Sequence, residues 1–457
     1  MYICAYLCSF FIDILLNILN NILVMTNPLA QELNAALEGT TVGSLLSDFG
    51  KRIYFPKGII AQSAEAKQKG KTANATIGMT VQNGTPVILE AVHKSAPELT
   101  SRELVAYAPT AGLPEIREAW KKEIIKKNPL LASKSFSLPV LVPGLTAGIS
   151  YLSDLFLDES KTLIAGNPSW DNYALIAETR RNASFRQFSM FKNGGFNLDA
   201  FKEVVLDEAK KGEVRVLLNF PQNPSGYSPT KAEAKEIVSF LTDLANSGTK
   251  VMVWSDDAYF GLNYEDDIES QSLFAYLADA SENLLAVKID GPTKEDFVWG
   301  FRAGFLTFAS KGLSEAHYDA IVKKLMGTIR SSVSCASTPP QTMLLKAYKD
   351  ENLEAEKKAF RAVLERRYRK VRNFTDSHKS CALEPLPFNS GYFMSFNLFS
   401  VNAEKLRQVL LENYGIGTIA IDEKTLRVAF SSLDEDKIET VYSAIYKVAE
   451  ELSLACA

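Results

Sequence analysis

Between residues 138 and 310 short apolar runs alternate with helical stretches, and this alternation narrows the possible folds sharply. The runs are 140–142, 162–165, 214–218, 250–254, 284–289 and 303–308. Runs this short and this apolar suit strands buried on both faces, and the stretches between them suit helical crossovers. The pattern predicts an α/β fold with a mostly parallel sheet between helices. In such sheets ligands sit at the carboxyl ends of the strands. The residues that follow each run are therefore the ones to read.

After Val142 comes Pro143-Gly144-Leu145-Thr146 and then a helix. Backbone N–H groups and a hydroxyl at a helix start can hold a phosphate. After Ala165 comes Pro168-Ser169-Trp170-Asp171-Asn172-Tyr173, where Trp170 can stack on a flat ring. The loop after Leu218 carries Asn223-Pro224-Ser225-Gly226, which presents an amide. After Trp254, Asp256 and Tyr259 put an acid and a phenol at the strand end. After Ile289 a Gly291-Pro292 turn leads to Thr293 and Lys294, and Arg302 follows between Gly300 and Gly304. A desolvated lysine loses its proton and becomes a nucleophile toward an aldehyde. An arginine flanked by glycines can fork onto a phosphate. Taken singly, each motif is an ordinary turn, a core ring or a surface charge. Taken together, they describe a site for an aldehyde that also carries a phosphate. Pyridoxal 5'-phosphate (PLP) is the common cofactor of that description.

At 457 residues the chain exceeds one typical hydrophobic core, so more than one domain is expected. The net charge of −4 offers no footprint for a nucleic acid. Five scattered cysteines and three histidines make no metal-ligand spacing, so no metal is expected and the thiols read as reduced, in a cytoplasm. Residues 1–24 are apolar but interrupted by Asp13, Asn17, Asn20 and Asn21, with no Lys or Arg. They read as an extension outside the fold, with a signal or anchor as the other reading. No membrane association is expected for the folded part.

These residues resemble the fold type I PLP enzymes, specifically class I aminotransferases near the aspartate and aromatic branch. The resemblance runs from about Ala75 to Phe430. Asn223-Pro224-Ser225-Gly226 is similar to the family's Asn-Pro-Thr-Gly element. Asp256 with Tyr259 is similar to its Asp-x-x-Tyr, and Lys294 with Arg302 to its lysine and Gly-x-Arg-x-Gly. The resemblance implies a mostly parallel sheet of the seven-stranded type plus a smaller α+β domain. The domain limits it suggests are 25–75 joining the small domain, 76–345 for the large one and 346–457 for the small one. It implies a PLP-dependent transfer of an amino group between an L-amino acid and a 2-oxo acid by a ping-pong mechanism. Lys294 would form the internal aldimine, with Asp256 and Tyr259 as its catalytic companions. Cofactor contacts would come from Gly144, Leu145, Thr146, Trp170, Asn223, Thr293 and Arg302. Tyr107 would reach the phosphate from the partner subunit of a homodimer. Substrate would meet Gly78, Trp170, Asn223 and Arg427, the last gripping its α-carboxylate.

Three departures stand out. Gly291 stands where many relatives carry a phosphate-binding serine, so Thr146 and Thr293 take more of that duty. Tyr173 replaces a frequent histidine behind the ring. Arg330, the candidate for a distal substrate acid, lies about three residues too far upstream of the Ser337-Thr338-Pro339-Pro340 turn. A PLP-dependent lyase or decarboxylase on the same scaffold shares the ring-binding residues and stays open. A dehydrogenase is disfavoured because the first strand-to-helix turn lacks G-x-G-x-x-G.

Overall fold

Seven strands build the central sheet: β1 (Val140–Val142), β2 (Thr162–Asn167), β3 (Ser184–Ser189), β4 (Glu213–Asn219), β5 (Lys250–Asp256), β6 (Leu284–Asp290) and β7 (Gly304–Ala309). The structure is a computed structural model and describes residues 27–37, 59–76 and 78–454. The reading made for residues 1–24 lies outside the described residues. The helix Pro28–Leu37 belongs to a unit of its own, residues 1–57, and everything below lies within residues 58–457.

The sheet runs β1-β7-β6-β5-β4-β2-β3. Strands β6, β5, β4, β2 and β3 are mutually parallel. Strand β7 is antiparallel to both its neighbours, β6 and β1. Each apolar run became a strand with ends shifted by no more than two residues. All of β1 and β7 is buried, as expected for strands covered on both faces. Strand β3 went unread in the sequence. Its Ser-Phe-Arg-Gln-Phe-Ser holds no continuous apolar run, and at the sheet edge only Phe188 of it is buried. A search for continuous apolar runs finds only strands covered twice.

Helix α1 (Pro114–Lys127) starts on a proline at its first turn and buries Ile116, Trp120 and Ile124, one residue per turn. The Trp120 ring stacks on Phe305 of β7 with centroids 4.8 Å apart. Helix α2 (Leu145–Phe156) follows β1 directly. A second sheet, β8 (Leu383–Pro385), β9 (Met394–Leu398), β10 (Ile419–Ala420) and β11 (Thr425–Val428), has the order β8-β9-β11-β10. Helix α3 (Leu353–Ser377) buries Val363, Leu364, Tyr368, Val371 and Phe374 along one face. No helix among the described residues is long and apolar enough to cross a membrane.

The sequence at 75–80 predicts a short strand; among the described residues the ladder here covers only Ala73–Asn74, parallel to Ile416–Gly417. Past Asn74 the backbone bonds diverge. Ala75 N–H donates to Gly417 and its carbonyl accepts from Ala429, so the segment is held between two partners instead of joining one ladder.

The two sheets meet at Gly226. Its carbonyl accepts from Asn389 and Ser390 N–H, both at 2.9 Å. Its φ of +78° is left-handed, and a Cβ there would overlap the Phe393 carbonyl. Both the backbone conformation and the close approach require glycine. Gly226→Ala should lower stability by ~2–4 kcal/mol through strain and a displaced junction. Urea denaturation measures it, and a variant with an unchanged midpoint would show that the junction relaxes freely.

Candidate active site

Strand register sets the site. Asn219, Asp256 and Ile289 stand in one row across β4, β5 and β6. The loops that follow them therefore open at one edge of the sheet. Asn219 binds this edge together: its amide donates to the Asp256 carbonyl at 2.8 Å, and its Oδ1 accepts from Asn223 N–H at 2.8 Å.

Asp256 is 3% exposed. Tyr173 Oη donates to its Oδ2 at 2.5 Å, and Ala258 N–H donates to its Oδ1 at 3.2 Å. Burial raises its pKa, while the Tyr173 hydrogen bond and the Lys294 charge act against the rise. Trp170 is half-buried and meets Tyr173 edge-on, with centroids 5.4 Å apart.

Lys294 sits in a one-turn helix, Pro292–Glu295. Its Nζ lies 4.6 Å from the centre of the Tyr259 ring. Burial pushes its pKa down to about 8; the Asp256 charge opposes this and the Arg302 charge adds to it. The Tyr259 phenol is pushed above its ordinary value by burial. Its ring packs edge-on against Tyr392 and Phe393. Tyr392 Oη also donates to the Lys294 carbonyl at 3.0 Å.

Arg427 comes in from β11 and is 2% exposed. Nη1 donates to Asn223 Oδ1 at 3.0 Å and Nη2 to the Thr76 carbonyl at 2.9 Å. The guanidinium carbon lies 4.3 Å over the Phe393 ring. Nε is buried without a partner. Burial lowers its pKa to about 10, against the charges of Tyr259 and Asp171. Gly78 lets the chain pass here, since a Cβ would sit 2.8 Å from the Phe393 ring.

A third group gathers at the start of α2. Gly144 has φ +90°, and no side chain caps the helix, so its first N–H groups are open to a ligand. The Arg302 guanidinium lies so close to Gly144 that a Cβ would overlap it. Leu145 and Thr146 form the first turn, with Thr146 half-buried. Arg302 Nη1 donates to the Trp299 carbonyl at 3.0 Å. Thr293 is buried and gives its hydroxyl to the Ala303 carbonyl at 3.2 Å.

Lys294, Asp256, Tyr259, Asn223, Arg427 and Gly78 are thus linked by contacts, and Trp170 joins through Tyr173. Gly144 and Arg302 touch each other at the helix start. Two predicted residues are not brought in. Tyr107 is 93% exposed. Arg330 is exposed at the end of the helix Glu315–Arg330 and donates to Ser334. Three contributors went unread: Asn219, Tyr392 and Phe393. Asn219 closes β4, so reading one residue earlier finds it. Tyr392 and Phe393 lie just before β9, far along the chain, and no local signal ties them to the site.

The side chains fit PLP. A helix start without a capping side chain, with a guanidinium pressed against a glycine, accepts a phosphate. A buried acid with a phenolic donor accepts a ring N–H. A desolvated amine accepts an aldehyde. Lys294 in the cofactor-free protein should react with an amine reagent with a pH midpoint near 8. Below that pH the group is an ammonium and inert; above it the free amine attacks. Site-resolved mass spectrometry gives the profile, and a midpoint above about 10, the value of a solvated lysine, would show that the pocket leaves the amine hydrated.

Comparison with known proteins agrees with this geometry. The family described as aminotransferase class I and II matches residues 77–445. An aspartate aminotransferase of Pyrococcus abyssi is 27% identical over 262 residues, 57% of this chain and 61% of that one. A probable N-acetyl-LL-diaminopimelate aminotransferase of Bacillus subtilis is 24% identical over 331 residues, 72% of this chain and 76% of that one. Among solved structures, an aminotransferase from Anaerococcus prevotii shares the fold with a TM-score of 0.73 at 22% identity, over 88% of this chain and 97% of that one. A multiple substrate aminotransferase from Thermococcus profundus does so with a TM-score of 0.76 at 16% identity, over 91% and 100%.

Proposed function

The chain belongs to the aminotransferase class I and II family, with PLP as cofactor, and on that footing we propose that it moves an amino group between an L-amino acid and a 2-oxo acid in ping-pong order. One observation carries the proposal: a desolvated lysine amine, a buried carboxylate and a buried arginine meet in one contact cluster at the sheet edge. Bound there, PLP supplies an electron sink for the carbanion that forms at the substrate Cα.

Every other task falls to the chain. Asp256 holds a proton at the ring nitrogen, and Tyr173 keeps that carboxylate in place. Tyr259 and the amide NH₂ of Asn223 donate to the ring oxygen; Asn223 Oδ1 is already taken by Arg427. Trp170 covers a ring face. Arg302, Thr146 and the Leu145 N–H at the start of α2 would take the phosphate, with Gly144, whose own N–H donates to the Val142 carbonyl, leaving room beside them; Tyr107 of the partner subunit would join them in a homodimer. Thr293 steadies the loop below through its bond to Ala303. Arg427 forks onto the α-carboxylate and so aligns the Cα–H bond with the ring. Lys294 would hold the cofactor through its amine and, when free, would move the proton at the substrate Cα. We place residues 76–345 in the large domain, residues 346–457 in the small one, and the reaction in the cytoplasm.

Lys294→Ala should abolish the visible absorbance of the PLP-loaded protein and all transfer. Arg427→Lys should lower kcat/KM about 10- to 100-fold, as one charge-assisted bond worth ~1.5–3 kcal/mol is lost. Adding a panel of amino acids to the PLP form and following its conversion to the pyridoxamine spectrum names the donor. Ammonia or pyruvate released with no 2-oxo acid acceptor would instead favour a lyase.

A further inference from the structure

Two acids follow the lysine directly, and both turn away from the site into a buried ionic cluster. Glu295 pairs with Lys127, the last residue of α1, at 2.7 Å. Asp296, 1% exposed, pairs with Lys357 near the start of α3 at 2.6 Å and accepts from Tyr348 Oη at 2.8 Å. Lys357 also lies 3.7 Å from Glu295. The cluster continues behind the sheet. Lys127 Nζ sits 4.9 Å over the Trp120 ring, and Trp120 Nε1 donates to Asp290 Oδ1 at 3.0 Å. Asp290 lies 3.5 Å from Lys288, which pairs with Asp257, the neighbour of Asp256.

This layout answers a mechanical question. The helix that carries Lys294 has a single turn, and one turn does not hold itself together by backbone bonds. Its position must come from its neighbours. On the site side, Tyr392 holds the Lys294 carbonyl. On the far side stand two salt bridges from two different helices. Burying four charges is expensive unless they pair well, and here the pairing is close.

We infer that Lys127 and Lys357 are positioning residues for the Lys294 amine, acting through Glu295 and Asp296. They fix the one-turn helix from behind and balance the negative charge at its base. The inference rests on the aminotransfer reading, in which Lys294 must reach both the cofactor carbon and the substrate Cα. It also joins α3, which packs against the C-terminal helix Ile438–Leu454, to the residue doing the chemistry.

The charges around each group set the expected signs. Lys294 faces Asp256, Tyr259 and Arg302. The acids face Lys127 with Glu123 from α1, Lys357 with Glu354 from α3, Tyr348, and Lys288. Burial raises the Glu295 pKa, but Lys127 and Lys357 prevail and hold it at about 2, so it is charged at any working pH. Removing Lys357 leaves an excess negative charge at the base of the helix, which favours the ammonium of Lys294. Removing the charge of Asp296 leaves an excess positive one, which favours the free amine.

The test is the pH profile of Lys294 labelling in cofactor-free full-length protein, with folding checked by circular dichroism. Lys357→Met should raise the midpoint and Asp296→Asn should lower it, each by about half a unit or more. The double variant should return to the wild-type midpoint, and Lys357→Arg should keep it. In the PLP-loaded enzyme Lys357→Met should lower kcat about 10- to 100-fold with KM nearly unchanged, because a displaced amine affects the chemical step and not substrate binding. Midpoints unmoved in both folded single variants, or moved in the same direction, would overturn the inference. If PLP fails to protect Lys294 from labelling in the wild type, the aminotransfer reading itself falls, which the variants need not be made to discover.

Discussion

Everything at this site depends on the pairing register of three parallel strands. Asn219, Asp256 and Ile289 stand abreast, and side chains along a strand alternate in direction. Asp256 therefore faces Tyr173 and the site, while Asp257 faces Ser272 and Lys288 behind it. A slip of one residue in β5 would exchange the two carboxylates. The acid with a single phenolic donor would then be replaced by one already neutralised by a lysine. The dense burial of β5 and β6 enforces the register, since a slip would drive each side chain into a packed space shaped for another.

How much of this was readable in the sequence follows from the same geometry. Strand ends bear chemistry in short local words: Gly144-Leu145-Thr146, Asn223-Pro224-Ser225-Gly226, Asp256 with Tyr259, and Lys294 with Arg302. Each word sits in one turn, so its spacing survives in one dimension. The six buried strands were legible because burial on both faces leaves continuous apolar runs. Strand β3 was not, because solvent on one side lets Arg186 and Gln187 stand among its phenylalanines. The short strand predicted at 75–80 fails for another reason. The backbone bonds of Ala75 go to Gly417 and Ala429, far along the chain, and local propensity does not encode such partners. The ionic cluster behind Lys294 was equally hidden. Lys127, Glu295 and Lys357 lie more than a hundred positions apart at one end, and charged residues in a sequence read as surface.

The site and the cluster behind it solve opposite electrostatic problems with the same tool. In the site, burial pushes Lys294 toward its neutral form, because Asp256 is too occupied with Tyr173 to compensate fully. In the cluster, burial is overcome by close pairing, and Lys357 stays charged. The lysine on the one-turn helix and the lysine behind it are thus shifted in opposite directions. The difference is the number of carboxylates each can reach. A nucleophile needs the poorly paired one, and a structural anchor the well-paired one.

Arg427 shows the same logic for a cation that must wait for a ligand. Its hydrogen-bond partners are neutral: the Asn223 amide oxygen and the Thr76 carbonyl. The Phe393 ring supports it from below. These contacts orient the guanidinium without neutralising it, and burial lowers its pKa. A carboxylate bridge in the same place would stabilise the empty pocket and compete with an incoming acid. Neutral partners leave the desolvation of the charge uncompensated until an anion arrives, so the strongest attraction in the pocket is reserved for the ligand.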